Sequence, residues 1–102
     1  MNTLTVTEIE IPMIEDVSIT EDTLSIDLKD GRTISTPVAW YPRLLYATPH
    51  ERNQWRLIGD GYGIHWEDID EDISVHGLIA GKASNESQES LQKWLSSRKI
   101  TA

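Results

Sequence analysis

The stretch TLSIDLKDGRTIST, residues 23 to 36, leaves the chain little choice of local fold. Leu24, Ile26 and Leu28 alternate with polar residues, Asp30-Gly31 supplies the positive φ angles of a tight turn, and Ile34 resumes the alternation. That spacing predicts a β-hairpin. Upstream, Val17 and Ile19 alternate before the acidic Glu21-Asp22 turn, which predicts a preceding strand, and residues 4 to 11 are read as a further one. The N-terminal third is therefore expected to be an antiparallel meander.

The pattern changes after Pro37, which ends the second hairpin strand. Pro42 suits the opening of a short helix, because its missing N–H falls where a helix has no acceptor, and Leu44, Leu45 and Ala47 continue it for little more than a turn. Thr48, Pro49 and Glu51 form a full capping box around His50: threonine at the cap, proline at the first helical position, glutamate at the third. A second helix is expected over residues 49 to 57, including Trp55, and Gly59, Gly61 and Gly63 are expected to stop it. Ile64 and Trp66 share a parity that fits a strand with His65 on its other face. Ile69, Ile73 and Val75 share the opposite parity, so a turn or bulge has to fall near Glu67-Asp68.

Ser74 can cap a short helix from Val75 to Ala80, with Gly81 as its left-handed exit. Asp70, Glu71 and Asp72 would then lie just before that N-terminus, where the helix dipole favours negative charge. KASNESQES, residues 82 to 90, reads as a linker that becomes a helix start. Leu91, Trp94 and Leu95 share one helical face, with Ile100 beyond it, a narrow stripe by which the tail can dock on its own core or on a partner.

A chain of 102 residues supports one small core. Phenylalanine is absent, so Trp40, Trp55, Trp66 and Trp94 are expected to supply much of the bulky buried area. Cysteine is absent too, which excludes disulfides, thiolate metal sites and cysteine nucleophiles. The N-terminus has neither a basic opening nor a long apolar run, and nowhere do about eighteen apolar residues follow one another. An untargeted, cytoplasmic protein with no membrane partner is expected.

The formal net charge of −8 argues against nonspecific binding to nucleic acid or anionic lipid, which needs cations to displace counterions. The charges are also segregated. Residues 32 to 56 hold Arg32, Arg43, Arg52 and Arg56 against the single acid Glu51, residues 1 to 31 hold eight acids and one lysine, and every formal charge in residues 57 to 81 is negative. Either the two signs neutralise each other within the fold, or the arginine and aromatic segment meets an acidic partner surface.

The acidic run IGDGYGIHWEDIDEDISV, residues 58 to 75, invites a metal or phosphate reading. A calcium loop starting at Asp68 would place acids at its first, third and fifth positions, Asp68, Asp70 and Asp72, but has Ile73 where a glycine makes the sharp turn and Ile79 where a glutamate closes the cage. The glycines lack the dinucleotide spacing, and no lysine follows for a phosphate loop. No two of His50, His65 and His76 stand at a helical i, i+4 spacing. No serine has the strained-turn context of a hydrolytic triad, and so short a chain offers little cleft for paired carboxylates.

The run from Asp30 to Gly81 resembles a bacterial family called domain of unknown function 2442. Its motifs stand here as Pro37, Trp40, Tyr41, Pro42, Arg43 and Leu44; Ala47, Thr48, Pro49, Glu51 and Arg52; Trp55, Ile58, Gly59, Gly61, Ile64 and Trp66; and Asp70, Asp72, Ile73, Ser74, Val75, Gly77 and Leu78. The resemblance implies a small α+β domain. It also implies two settings for relatives, one with a helix-turn-helix DNA-binding domain following, the other beside a gene of a second uncharacterised family in a toxin and antitoxin-like arrangement. Residues 82 to 102 are enough for one helix only, so direct DNA binding is not expected.

The expected architecture is thus α+β: a small antiparallel meander packed on several short helices, as one domain over residues 1 to 81, then a linker and amphipathic helix over 82 to 102. The leading functional expectation is a non-enzymatic interaction module without cofactor or metal, binding another protein such as a neighbouring gene's product, with self-association left open. Trp40, Tyr41, Arg43, Tyr46, Arg52, Arg56 and Trp94 are the candidate partner-binding residues. Gly31, Pro42, Thr48, Pro49, Glu51, Gly59, Gly61, Gly63, Trp66, Ser74 and Gly81 are read as structural. The alternatives are a DNA-linked regulator and a divalent-metal protein using Asp68, Asp70 and Asp72.

Overall fold

The fold is that of a computed structural model, and residues 10 to 99 are the ones described. The chain is α+β. Strands β1 (Ile14–Ile19), β2 (Thr23–Leu28) and β3 (Thr33–Pro37) form one antiparallel sheet in that order. A 3₁₀ turn (Val38–Trp40) and helices α1 (Pro42–Leu45) and α2 (Pro49–Arg52) lead to a second antiparallel sheet of β4 (Trp55–Ile58), β5 (Gly63–Trp66) and β6 (Glu71–Ser74). Helix α3 (Val75–Ala80) follows directly, and α4 (Gln88–Lys99) comes after a linker. The strand expected over residues 4 to 11 lies largely outside the described residues, as does Ile100.

The hairpin forms as its alternation dictates. Ile26 faces Ile34 and Leu24 faces Thr36 across β2 and β3, while Gly31 takes φ 97° in the turn. Leu24, Ile26 and Leu28 are buried on one face, each contributing about 1.5 to 3 kcal/mol. In β1 the register shifts between Ile14 and Asp16. That irregularity lets both Ile14 and Val17 reach the core despite their odd spacing. Ser74 caps α3 by accepting from the Gly77 N–H, and Gly81 leaves it with φ 73°.

Two local expectations are corrected. The helix that starts at the capping box ends at Arg52, and Trp55 to Ile58 is a strand paired with β5, Trp55 facing Trp66 and Leu57 facing Ile64. Once Asn53 closes the helix with its side-chain amide on the Pro49 carbonyl, Trp55 and Leu57 can turn inward on one side of a strand while Arg56 faces out. The carbonyl of Arg52 is taken instead by the Trp66 indole N–H, at 3.0 Å. The glycines that follow therefore stop no helix: Gly59, Asp60 and Gly61, all at positive φ, turn β4 into β5. The second correction concerns Asp70, Glu71 and Asp72. Glu71 and Asp72 belong to β6 and Asp70 to the turn before it, leaving no acid in the first turn of α3. They do lie just before α3, as expected, but as part of the second sheet and the turn that leads into it.

Both sheets feed a single apolar cluster, with Val38, Tyr41, Leu44 and Ala47 from the connection and Ile69, Val75 and Leu78 from beyond β5. Of the four tryptophans only Trp66 is fully buried, Trp55 and Trp94 pack on the cluster from its edge, and Trp40 is 39% exposed. The bulk of the core is aliphatic. Gly61 joins the two halves: at φ 99° it sits so close to β1 that a Cβ would lie 2.6 Å from the Ile14 carbonyl oxygen.

Candidate interaction surface

The arginines of the middle segment have distinct fates. Arg43 projects from α1 and donates from Nε and Nη2 to the Glu86 carboxylate at 2.7 to 3.0 Å, and from Nη1 to the Ile69 carbonyl at 2.9 Å. Arg52 acts as a staple. Its guanidinium donates to the Leu44 and Leu45 carbonyls at the end of α1 and to the Thr20 and Glu21 carbonyls in the β1–β2 turn. Arg56, by contrast, is exposed and meets exposed Glu67 only at 3.8 Å. Exposed pairs of this kind contribute about 0 to 1 kcal/mol.

The aromatics divide in the same way. Tyr41 is 4% exposed and its hydroxyl donates to the Lys82 carbonyl. Trp40, Leu45 and Tyr46 are 39%, 40% and 53% exposed. Trp94, on α4, lies under two guanidinium groups, Arg43 at 5.0 Å and Arg98 at 4.5 Å from the ring centroid. Arg98 also bonds both oxygens of Glu51, at 3.0 and 2.8 Å. Glu51 meanwhile completes the capping box by accepting from the Thr48 N–H. Hydrogen bonds from Arg98 above all hold its carboxyl below the usual range, and those from Arg43 do the same for Glu86. Sequence reasoning named Trp94 but missed Glu86 and Arg98; the i, i+4 spacing of Trp94 and Arg98 was the available signal for the second.

The outer face of the second sheet carries a charged row. Arg56, His65 and Asp72 stand opposite one another across β4, β5 and β6. The two ring nitrogens of His65 reach Asp72 and Glu67, the latter at 3.0 Å. The hydrogen bond to Asp72 raises the imidazole pKa most, burial opposes it, and Glu67 adds to the rise. With both nitrogens engaged by carboxylates, the protonated form of His65 is favoured over the neutral one. Among the described residues no three His, Cys, Asp or Glu side chains are gathered as a metal ion would need, so Asp68, Asp70 and Asp72 form no such group. His50 and His76 are exposed. Among the described residues no helix is long and apolar enough to cross a membrane.

A family model described as "Protein of unknown function (DUF2442)" matches residues 14 to 84. The chain belongs to the DUF2442 family. The match runs from the first residue of β1 through all six strands and α3 into the linker, so it covers the shared core and stops before α4. No curated protein matches this DUF2442 chain. Among solved structures, a crystal structure of a protein of unknown function from Rhodospirillum rubrum is 28% identical with a TM-score of 0.65, covering 76% of this chain and 95% of the other. An uncharacterised protein from Chromobacterium violaceum, solved by NMR, is 20% identical with a TM-score of 0.62, covering 79% and 74%. The second likeness is one of fold.

Proposed function

We propose that this DUF2442 chain is a non-enzymatic, cytoplasmic interaction module that reads another protein through the α1 face, and that the partner is the product of a neighbouring gene, with this chain as the antitoxin-like member of the pair. The observation that carries the reading is the exposure of Trp40, Leu45 and Tyr46 within one short segment. Aromatic side chains dominate interface hot spots, and a small domain with a scarce core has reason to bury such groups unless something else covers them. Arg56, exposed at the other end of the segment and only loosely paired with Glu67 at 3.8 Å, can exchange that contact for an acidic partner. The engagement of both His65 nitrogens by carboxylates supports a role other than acid–base catalysis.

The test is co-purification of the neighbouring gene product with the wild-type chain and with Trp40→Ala/Tyr46→Ala. The double variant should lose the partner while its circular dichroism spectrum and melting temperature stay near those of the wild type. Equal recovery with a folded double variant would sink the assignment of this face.

A further inference from the structure

Glu71 is the ionisable group that the fold explains least. It opens β6, is half-buried, and lines a cleft of about 260 Å³ with Tyr41, Ser74, Lys82 and Ser84. Among the described residues its carboxyl has no hydrogen bond or salt bridge. The charged groups acting on it are Glu86 from the linker, Arg43 from α1, and Asp72 and Asp70 from its own strand and turn. Tyr41 faces it from the entry to α1, and Lys82 shares the cleft.

Arg43 is the shared element. Its guanidinium holds both oxygens of Glu86 and stacks on Trp94, and Glu86 also accepts from the Ser90 hydroxyl at 2.7 Å. One carboxylate thus ties α1, the linker and the first turn of α4 together. Elsewhere the helix is held by Leu91, its one buried apolar residue among those described, by partly covered Trp94 and Leu95, and at its far end by the Arg98–Glu51 pair, so the Glu86 clip is what fixes its first turns. Burial above all, then the nearby Glu86, pushes the Glu71 carboxyl up to about 7, against the pull of Arg43. A group with that placement changes charge close to neutrality, beside the ion pair that clips the helix down.

We propose that Glu71 is a proton-operated latch on α4: neutral, it leaves Arg43 wholly to Glu86 and the helix stays clipped; ionised, it draws on the same guanidinium, repels Glu86, and loosens the clip. Asp70 and Asp72 flank Glu71 on its own turn and strand, and the Glu71→Gln variant separates its part from theirs. The latch holds whether or not a partner reads the α1 face, because its readout is the helix alone.

Hydrogen exchange of the full chain, corrected for the intrinsic rate at each pH, tests it. Amide protection over residues 91 to 98 should fall about tenfold from about pH 6 to about pH 8.5 relative to β2 and β3, and should stay at its low-pH level throughout in Glu71→Gln. An equal fall in the variant, or no fall in the wild type, overturns the latch. A carboxyl NMR titration of the wild-type chain gives a check that does not depend on the variant folding. The Glu71 midpoint should lie near neutrality and coincide with the change in α4, and a midpoint in the ordinary carboxylate range overturns it.

Discussion

The first sheet, β1 to β3, and the second, β4 to β6, share one topology: three antiparallel strands in chain order. They reach it by different means. The first presents aliphatic residues to the core from one face and closes its hairpin with an open turn, where a Cβ on Gly31 would meet nothing within 4 Å. The second is short-stranded, centred on one buried tryptophan, turned by three successive positive-φ residues, and laced on its outer face by Arg56, His65 and Asp72. A sheet that alternates cleanly is set by its own residues, whereas one with four-residue strands depends on what it is packed against.

The largest expected effect tests that dependence. Trp66→Ala empties the centre of the second sheet and frees the Arg52 carbonyl, so it should cost about 3 to 5 kcal/mol in urea denaturation; a loss below about 1 kcal/mol would show that the second sheet is not organised around this side chain. Next come the two turns. Gly61→Ala forces a Cβ to 2.6 Å from the Ile14 carbonyl oxygen at φ 99° and should cost about 3 kcal/mol, against about 1 kcal/mol for Gly31→Ala, which carries only the backbone penalty. Equal losses would mean that Gly61 does not hold the sheets together.

A smaller effect separates the sheets by pH. His65 is raised above 6.5 by Asp72 first and Glu67 after it, with burial opposing, so its contribution is complete below 6.5 and is lost as pH rises through the folded value. Glu71, raised from 4.5 to about 7 chiefly by burial, keeps in the folded state a proton that the unfolded chain has released, so stability also falls as pH rises between those values. Glu51 and Glu86 are lowered, and their contribution is lost only as pH falls below 4.5 through the folded values. The urea midpoint should therefore be higher near pH 5 than near pH 8, and His65→Gln should flatten the part of that slope above 6.5. A midpoint that rises with pH over this interval contradicts both shifts. The smallest effect is local: Asp72→Asn should bring the His65 midpoint, followed by imidazole NMR, down toward 6.5, since the Asp72 hydrogen bond is the first cause of its rise. An unchanged midpoint would place the cause elsewhere.

The candidate surface was legible only in part. Trp40, Tyr46 and Arg56 could be named from the sequence and are exposed, but Tyr41, Arg43 and Arg52 have the same residue types and are engaged inside the fold. Nothing in a one-dimensional pattern says whether an arginine meets the carbonyls at a helix end or a partner. Glu86 and Arg98 were missed because each acts on a residue more than forty positions away, Arg43 and Glu51.

By itself the sequence determined the features whose physics is local. The alternation of Leu24, Ile26 and Leu28 with Asp30-Gly31 made the hairpin, Thr48 and Glu51 made the capping box, and Ser74 and Gly81 bounded α3, because each needs groups only a few residues apart. Tertiary structure decided where the second helix stops and that Trp55 to Ile58 is a strand, since pairing with β5 and the bond from Trp66 to Arg52 outweigh helix propensity over so short a stretch. It also decided that Arg43 and Arg52 are engaged within the fold while Arg32 and Arg56 stay exposed. A buried or half-buried guanidinium is tolerated only where carbonyls or carboxylates converge on it, and that convergence exists only once both sheets and α4 are in place.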